Sequence, residues 1–249
     1  MTTAAHPKVG APLASPLDWQ SIDWKAAWEI VNKLQMRIAK AIRLGRFNKA
    51  KALQWILTNS FAAKLLAVKR VTQNKGKDTP GVDHVTWKSP KMKMKAVENL
   101  KRKDYKASPL RRIYIPKKNG KLRPLGIPTM PDRAQQALHL LSLEPIAETL
   151  ADKNSYGFRP KRSLHDAISQ CFIILSRKTS AKWILEGDIK ACFDEISHDW
   201  LEQHAIMDKK ILKQWLKAGY MEKNVFHETN FGSPQGSLCK ASHNEPYAK

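Results

Sequence analysis

The sequence predicts an α+β fold, and three observations support this class. Amphipathic helical patterns dominate the first third of the chain, a two-stranded hairpin follows, and an apolar run around Leu185 is typical of a buried strand. The 249 residues suit one large domain or two modest ones. Hydrophobic residues make up 42% of the chain and eight residues are Trp, so a core can form and a fully disordered basic tail is excluded.

The net charge is strongly positive. Lys and Arg number 44 against 22 Asp and Glu, which gives a formal charge of +22. Such a surplus opposes compaction by self-repulsion unless a polyanion binds it. Nucleic acid is therefore the leading partner class, and a merely soluble basic protein is the alternative.

Targeting and redox signals are weak. No apolar run approaches the ~20 residues that span a bilayer, and the first sixteen residues contain no apolar core of a secretory signal. Cys171, Cys192 and Cys239 form no Cys-x-x-Cys pair, so neither a zinc site nor a disulfide framework is indicated. We expect a cytoplasmic protein without a membrane segment, which begins with a flexible lead-in over residues 1–19.

Helical periodicity extends from Ser21 to about Val71 and is interrupted at Gly45. Two amphipathic helices fit this pattern, with basic residues such as Arg37 and Lys40 on the outer face of the first. From periodicity alone, an ordinary helical hairpin whose Lys and Arg are only solvated is the favoured interpretation.

The middle of the chain alternates helices and strands. Residues 91–106 predict a basic helix, residues 111–116 a strand, and residues 122–127 a return strand after a turn at residues 118–121. A further helix opens near Pro131. Ser163 is a good N-cap for another over residues 164–175, and residues 199–216 are again helical.

Residues 183–189 form an apolar run that ends in a carboxylate. We expect a buried strand that delivers Asp188 to a sheet edge, six residues before Asp194. Carboxylates there suit Mg²⁺, and phosphoryl-transfer polymerases need at least two of them to hold two metals. Without further context, a helix cap at Asp188 and a surface position for Asp194 are the favoured interpretation.

Four sequence blocks change that interpretation. They are RIYIPKKNGKLRPLGIP (112–128), SYGFRP (155–160), EGDIKACFDEISH (186–198) and GSPQG (232–236). In this order and spacing they closely resemble the reverse transcriptases encoded by group II introns, the intron maturases. Residues 20–87, which include KDTPGVD (77–83), look like the N-terminal extension of that family.

The resemblance implies a right-hand polymerase with a helical N-terminal extension, fingers and an incomplete palm. The implied boundaries follow the blocks. They are residues 20–90 for the N-terminal helical domain, 91–180 for the fingers, 181–236 for a partial palm and 237–249 for a divergent tail.

The resemblance also implies roles in the palm. Asp188 matches the first metal-binding aspartate, and Ile189 would offer its backbone carbonyl to Mg²⁺. Phe193 matches the aromatic residue beneath the sugar of the incoming nucleotide, which excludes a 2′-OH; simple core packing is its alternative. Gln235 matches the residue that orients the nucleotide sugar and the neighbouring template.

Basic residues receive implied roles as well. Lys117 and Arg123 resemble the fingers residues that hold the triphosphate, with a solvated hairpin edge as the alternative. Arg159 contacts the template or stabilises the fingers, and the sequence does not separate the two. The expected RNA-binding residues are Arg37, Lys40, Arg111, Arg112 and Arg159.

The sequence departs from the family after Gly236. The family continues with an apolar palm helix and a Tyr-x-Asp-Asp hairpin, whereas here residues 237–240 turn polar, and no Tyr-x-Asp-Asp occurs. We therefore expect a truncated member that does not polymerise DNA alone, from a frameshifted or split gene. Absence of Tyr-x-Asp-Asp codons in every downstream frame would contradict that origin.

Three functions stay open at this point. The first is a truncated group II intron reverse transcriptase/maturase that retains RNA binding. The second is a non-catalytic splicing factor that binds intron RNA, and the third is a split-palm polymerase completed in trans. The implied partners are group II intron RNA, an RNA template and DNA primer in full-length members, and a trans-complementing fragment or a second copy; a bacterial or organellar context fits.

Overall fold

The computed structural model describes residues 18–116, 120–190 and 193–232. These residues form a mixed fold of eight α-helices, one short 3-10 helix at Trp19–Ser21 and one four-stranded sheet, which confirms the α+β class. The helices are α1 Trp24–Arg43, α2 Phe47–Asn59, α3 Phe61–Gln73, α4 Pro90–Asn99, α5 Met130–Leu150, α6 Leu164–Leu175, α7 His198–His204 and α8 Lys209–Leu216. The strands are β1 Leu110–Pro116, β2 Leu122–Ile127, β3 Tyr220–Glu222 and β4 Val225–His227.

The N-terminal helical region contains three helices rather than the predicted two. The break at Gly45 is confirmed, with φ of 65°, but the second run divides again at Ser60, whose backbone is extended. Just before it, the Thr58 hydroxyl donates to the carbonyl of Gln54 at 2.9 Å and the Asn59 amide to that of Trp55 at 2.8 Å. Such local side-chain bonds compete with the helical ladder, so α2 ends there.

The main core joins the N-terminal helices to α5. Helix α5 packs against α1, α2 and α3. The side chains at the centre of this core are fully buried, among them Val31, Ile38, Leu57, Val68, Met130 and Leu138. The Gln35 amide also donates to the Leu141 carbonyl at 2.7 Å. One core therefore holds the helical extension and the helix that follows the hairpin.

The sheet has the strand order β2-β1-β3-β4. The predicted hairpin is confirmed, since β1 and β2 pair antiparallel with Arg112 opposite Gly126 and Ile115 opposite Arg123. Strand β3 adds parallel to β1, and β4 returns antiparallel to β3. The β3–β4 hairpin was not predicted because its strands are short and its turn, Lys223-Asn224, lacks the glycine that usually marks such turns, although both residues have positive φ.

Two predicted helices are shorter than expected. The basic stretch 91–106 is helical only as far as Asn99. The stretch 199–216 divides into α7 and α8, because Asp208 accepts from the backbone N–H groups of Lys210 and Ile211 and so caps a new helix. A cap residue inside a helical pattern starts a second helix instead of continuing the first.

Helices α7 and α8 belong to a second, smaller core. Its buried residues are Met207, Ile211, Leu212 and Leu216, which pack against Tyr105 and Leu143. The Gln54 amide of α2 donates to the Ile206 carbonyl at 2.8 Å, and the Leu110 N–H donates to the Gly219 carbonyl at 3.0 Å. The region after residue 198 is thus attached both to the helical core and to the sheet.

The predicted buried strand at residues 183–189 is wrong. This segment has no regular secondary structure, and Trp183 and Leu185 are 93% and 97% exposed. A strand requires a hydrogen-bonded neighbour, and among residues 18–116, 120–190 and 193–232 none pairs with this segment. Helix α6 before it has its predicted boundaries and a capping box at Ser163 and Asp166, yet it also buries no residue.

Within the described ranges, none of the helices combines the length and apolarity needed to cross a membrane.

Arg133 at the start of α5 clamps the loop that precedes α4. Its guanidinium donates to the carbonyls of Pro128 at 2.9 Å, Gly76 at 2.9 Å and Thr79 at 2.5 Å. In the same loop, a Cβ on Gly81 would lie 2.7 Å from the backbone of Thr129. The stretch 76–81 is therefore held against the start of α5.

Asp132 is the centre of a buried polar junction between α5 and α8. Its carboxylate accepts from the hydroxyls of Tyr105 and Thr129, both at 2.6 Å, and from the Ser108 N–H at 3.2 Å. The Tyr105 hydroxyl in turn accepts from the Trp215 indole at 2.9 Å. Burial raises the pKa of Asp132, although the bonds from Thr129 and Tyr105 oppose the shift.

Candidate nucleotide and nucleic-acid site

Three of the sequence blocks meet in the structure. Phe158, from SYGFRP, places its ring 6.5 Å from the ring of Phe193 at an interplanar angle of 87°. Edge-to-face pairs at this distance are favourable because the positive ring edge meets the negative face. The backbone of Phe193 and Asp194 also lies against Gly232, the first residue of GSPQG.

Gly232 is held closely against the turn at residues 193–198. Its N–H donates to the Ile196 carbonyl at 2.9 Å, and its carbonyl accepts from the His198 ring nitrogen Nε2 at 2.8 Å. Its φ is 82°, and a Cβ there would lie 2.6 Å from the carbonyl oxygen of Asp194. Only glycine meets both conditions without displacement of the backbone.

Replacement of Gly232 with alanine is expected to lower the free energy of unfolding by about 2–3 kcal/mol, because the substitution adds both backbone strain and a close contact. Urea unfolding measures the effect. Gly120→Ala, with φ of 76° and open space around it, isolates the cost of the backbone angle, and Gly157→Ala, also in open space, controls for the methyl group alone. Equal effects at Gly232 and Gly120 would contradict the role of the close approach to Asp194.

The Arg159 side chain is held by contacts within the chain. Its guanidinium forms a two-point contact with Glu148 of α5, at 3.0 and 2.7 Å, and donates to the carbonyls of Asp152 at 2.6 Å and Ser155 at 3.0 Å. Of its side chain, 11% is exposed. These contacts favour the fingers-stabilising alternative, and template contact by Arg159 stays a prediction.

The basic residues of the β1–β2 hairpin differ in how exposed they are. Arg111 and Arg112 are half-buried on β1, and the guanidinium of Arg112 lies 3.8 Å from the ring centre of Tyr220 on β3. Arg123 is exposed on β2, and Lys117 lies outside the described residues. Phosphate contact by Arg111, Arg112 and Arg123 stays a prediction.

The carboxylate that was expected to bind metal lies in the exposed segment. Asp188 is exposed and Ile189 is 73% exposed. No group of three or more His, Cys, Asp or Glu residues with metal-binding geometry occurs in the part of the chain that the structure describes. Because two-metal chemistry needs several converging carboxylates, these residues do not fit the Mg²⁺ site that the resemblance implies. Gln235 lies outside the described residues.

The basic face of α1 is open to solvent. Arg37 and Lys40 are exposed, while Val31, Leu34 and Ile38 of the same helix are buried. The other exposed cations of this helix are Lys25, Lys33 and Arg43. The helix thus keeps its apolar side in the core and presents its cations outward, where phosphates can reach them.

Sequence reasoning did not single out Phe158 or Glu148. Phe158 lies in the block SYGFRP next to Arg159, and its position in that block was the only feature of the sequence that pointed to it. Glu148 carries none, since its pairing with Arg159 across eleven residues depends on the path of the loop between them. The same holds for Tyr105 and Trp215, which are 110 residues apart in the chain.

Comparison with protein families identifies the chain. The family described as N-terminal domain of reverse transcriptase matches residues 19–100. The family described as reverse transcriptase (RNA-dependent DNA polymerase) matches residues 115–241, more than half of the chain. The chain therefore belongs to the reverse transcriptase family.

Individual relatives confirm the resemblance to intron-encoded members. The chain is 40% identical over 182 residues to the group II intron-encoded protein LtrA of Lactococcus lactis, which covers 70% of this chain and 30% of LtrA. It is 38% identical over 183 residues to protein YkfC of Escherichia coli, covering 68% of this chain and 48% of YkfC. An uncharacterized 91 kDa protein in the cob intron of Schizosaccharomyces pombe is 36% identical over 184 residues, covering 70% and 22%. The chain spans less than half the length of these relatives.

Proposed function

We propose that this chain is a group II intron reverse transcriptase/maturase-type protein that binds structured intron RNA. The observation that carries the proposal is the exposed basic face of α1 in a chain of charge +22. Phosphate contacts from exposed Lys and Arg supply most of the affinity of such surfaces. The similarity to an intron-encoded protein supports intron RNA as the partner.

The test compares a folded group II intron RNA with an unstructured RNA of equal length, both titrated across salt. Phosphate-dominated binding weakens with a log–log slope of about 0.7–0.9 per phosphate neutralised, whichever RNA is used. A clear advantage for the folded intron at ~0.15 M salt supports recognition beyond charge. Equal binding of the two RNAs would contradict the proposal, because it would show that the chain binds RNA only by non-specific charge attraction.

The double substitution Arg37→Gln and Lys40→Gln is expected to weaken RNA binding about tenfold at moderate salt and to lower the salt slope by about 1.5, because two phosphate contacts are lost. Fluorescence anisotropy across salt measures both values. Lys210→Gln with Lys217→Gln, two exposed cations of the α8 region, changes the net charge equally and serves as the control. Equal losses in the two double variants would contradict a specific role for α1.

The nucleotide-facing roles form the second part of the proposal. Phe193 lies beneath the sugar of a bound nucleotide, and Lys117 and Arg123 face its triphosphate. The meeting of Phe158, Phe193 and Gly232 supports this assignment.

The chain alone is not expected to extend a DNA primer on an RNA template. The sequence contains no Tyr-x-Asp-Asp, and one carboxylate segment does not supply the ligands of a two-metal site. A primer-extension assay with Mg²⁺ or Mn²⁺ measures this, with a full-length intron-encoded reverse transcriptase as the positive control. Template-dependent extension abolished by Asp188→Asn would contradict the expectation.

A further inference from the structure

We propose that Phe158 is a positioning residue for Phe193, and that the pair determines whether the nucleotide site distinguishes a deoxyribose from a ribose. The inference rests on the proposed role of Phe193. Phe158 itself contacts the ring of Phe193, which it meets edge to face with 6.5 Å between the ring centres.

The backbone of Phe158 is in a conformation that its own side chain does not explain. Its φ is 59°, a left-handed angle that is rare and costly for a bulky aromatic residue. The side chain is 57% exposed, so burial in a core offers little compensation. The strained φ angle of Phe158 directs its ring towards Phe193.

The loop around Phe158 is tied down on both sides. Arg159 follows directly and is anchored by Glu148 and by the carbonyls of Asp152 and Ser155. Farther on, the Arg162 guanidinium donates to the Lys153 carbonyl at 2.9 Å. These bonds hold the loop in place while Phe158 adopts its unusual angle, as expected where a strained residue has a functional task.

Phe193 is therefore fixed at two places. A Cβ on Gly232 would lie 2.9 Å from the Phe193 carbonyl oxygen, so the glycine backbone restrains the main chain there. Phe158 restrains the ring. An aromatic ring excludes a 2′-OH only while it occupies the space that the hydroxyl needs, so loss of the Phe158 ring should relax the discrimination between the two sugars.

The first test observes the Phe193 ring directly, in the full chain with 4-fluorophenylalanine at position 193. Phe158→Ala and Phe158→Gly are expected to shift or broaden its ¹⁹F resonance, because both remove the neighbouring ring. Phe158→Tyr, which keeps a ring, should leave it in place. Phe172→Ala is the matched control, since Phe172 is 71% exposed on α6.

The glycine variant keeps the test independent of folding, since glycine adopts positive φ without strain. A resonance that is unchanged in both Phe158→Ala and Phe158→Gly would overturn the proposal. So would a resonance that moves equally in Phe172→Ala.

The second test titrates the labelled chain with dATP and with ATP, which differ only in the 2′-OH. In the wild-type chain, the half-saturating concentration of dATP is expected to be about tenfold lower than that of ATP. The ratio of the two concentrations should be near one in Phe158→Ala and should return to the wild-type value in Phe158→Tyr. Selectivity that persists in Phe158→Ala would overturn the proposal. A wild-type chain that responds to neither nucleotide would overturn the role of Phe193 and sugar selectivity with it, while the first test would still decide the ring contact.

Discussion

Replacing Arg133 with alanine is expected to lower the free energy of unfolding by about 3–5 kcal/mol. The guanidinium satisfies three backbone carbonyls, those of Pro128, Gly76 and Thr79, and only 6% of the residue is exposed. Each buried carbonyl left without a donor costs about 1–3 kcal/mol, and partial entry of water offsets some of the sum.

The same substitution should release the loop 76–81 from α5. Arg133→Lys is expected to recover only part of the loss, because one ammonium group does not reproduce the planar array of donors that reaches three carbonyls. Urea unfolding gives the free energies, and hydrogen exchange at residues 76–81 reports the loop. Arg43→Ala, at an exposed arginine of α1, removes the same charge and should cost less than about 0.5 kcal/mol. A loss below about 1 kcal/mol for Arg133→Ala would show that the clamp is not needed for stability.

His139 is expected to make the fold sensitive to acid. It is 5% exposed and its ring lies edge-on to Trp215, with 5.4 Å between the ring centres. Burial lowers the pKa of His139 to about 4 from its ordinary value of 6.5, with a partial opposing effect of Asp208. The folded state therefore disfavours the protonated ring, which the unfolded chain accepts readily.

The sign of the pH dependence follows from that difference. Because the folded pKa lies below the unfolded one, the stabilising contribution is present above pH ~6.5 and is lost as the pH falls toward ~4. At 1.36 kcal/mol per unit, the full loss is about 3 kcal/mol, of which about 2 kcal/mol falls between pH ~7 and ~5. Buried Asp132 and half-buried Glu144, whose pKa values desolvation raises, act in the opposite direction, so their contribution grows on acidification.

A non-titrating variant isolates the contribution of His139. His139→Phe keeps an aromatic edge against Trp215 and retains Asp132 and Glu144, so the difference between wild type and variant cancels their effect. We expect the two urea-unfolding free energies to diverge by about 2 kcal/mol from pH ~7 to ~5, with the wild type losing more. Parallel curves would mean that the ring is hydrated or protonated within the folded state.

Some elements could be predicted from the sequence because their signals are local. The hairpin of β1 and β2 follows from two short β-prone runs about a turn, and its strand bounds were predicted to within one residue. Helix α6 was predicted at its observed bounds because Ser163 is a good N-cap, and the structure adds a capping box between Ser163 and Asp166. The four sequence blocks were enough to recognise the family, since residue order and spacing are properties of the chain itself.

The candidate site was only partly accessible in this way. Asp188 and Phe193 were chosen by resemblance, and the structure adds what surrounds them: an exposed segment at Asp188, and the ring of Phe158 with the backbone of Gly232 at Phe193. Arg159 was ambiguous in the sequence. Its partners became visible only once the loop after α5 was placed, because Glu148 and Arg159 are brought together by that loop.

By itself, the sequence determined the fold class, the hairpin, the cap at Ser163, the basic face of α1 and the family, all of which depend on neighbouring residues or on their order. The tertiary structure decided whether each apolar run finds a partner. Residues 183–189 have strand composition but no ladder among the described residues, whereas the three residues of β3 form a strand because β1 lies beside them. Hydrogen bonding between strands joins residues that are distant in the chain, so a strand depends on its neighbour as much as on its own sequence.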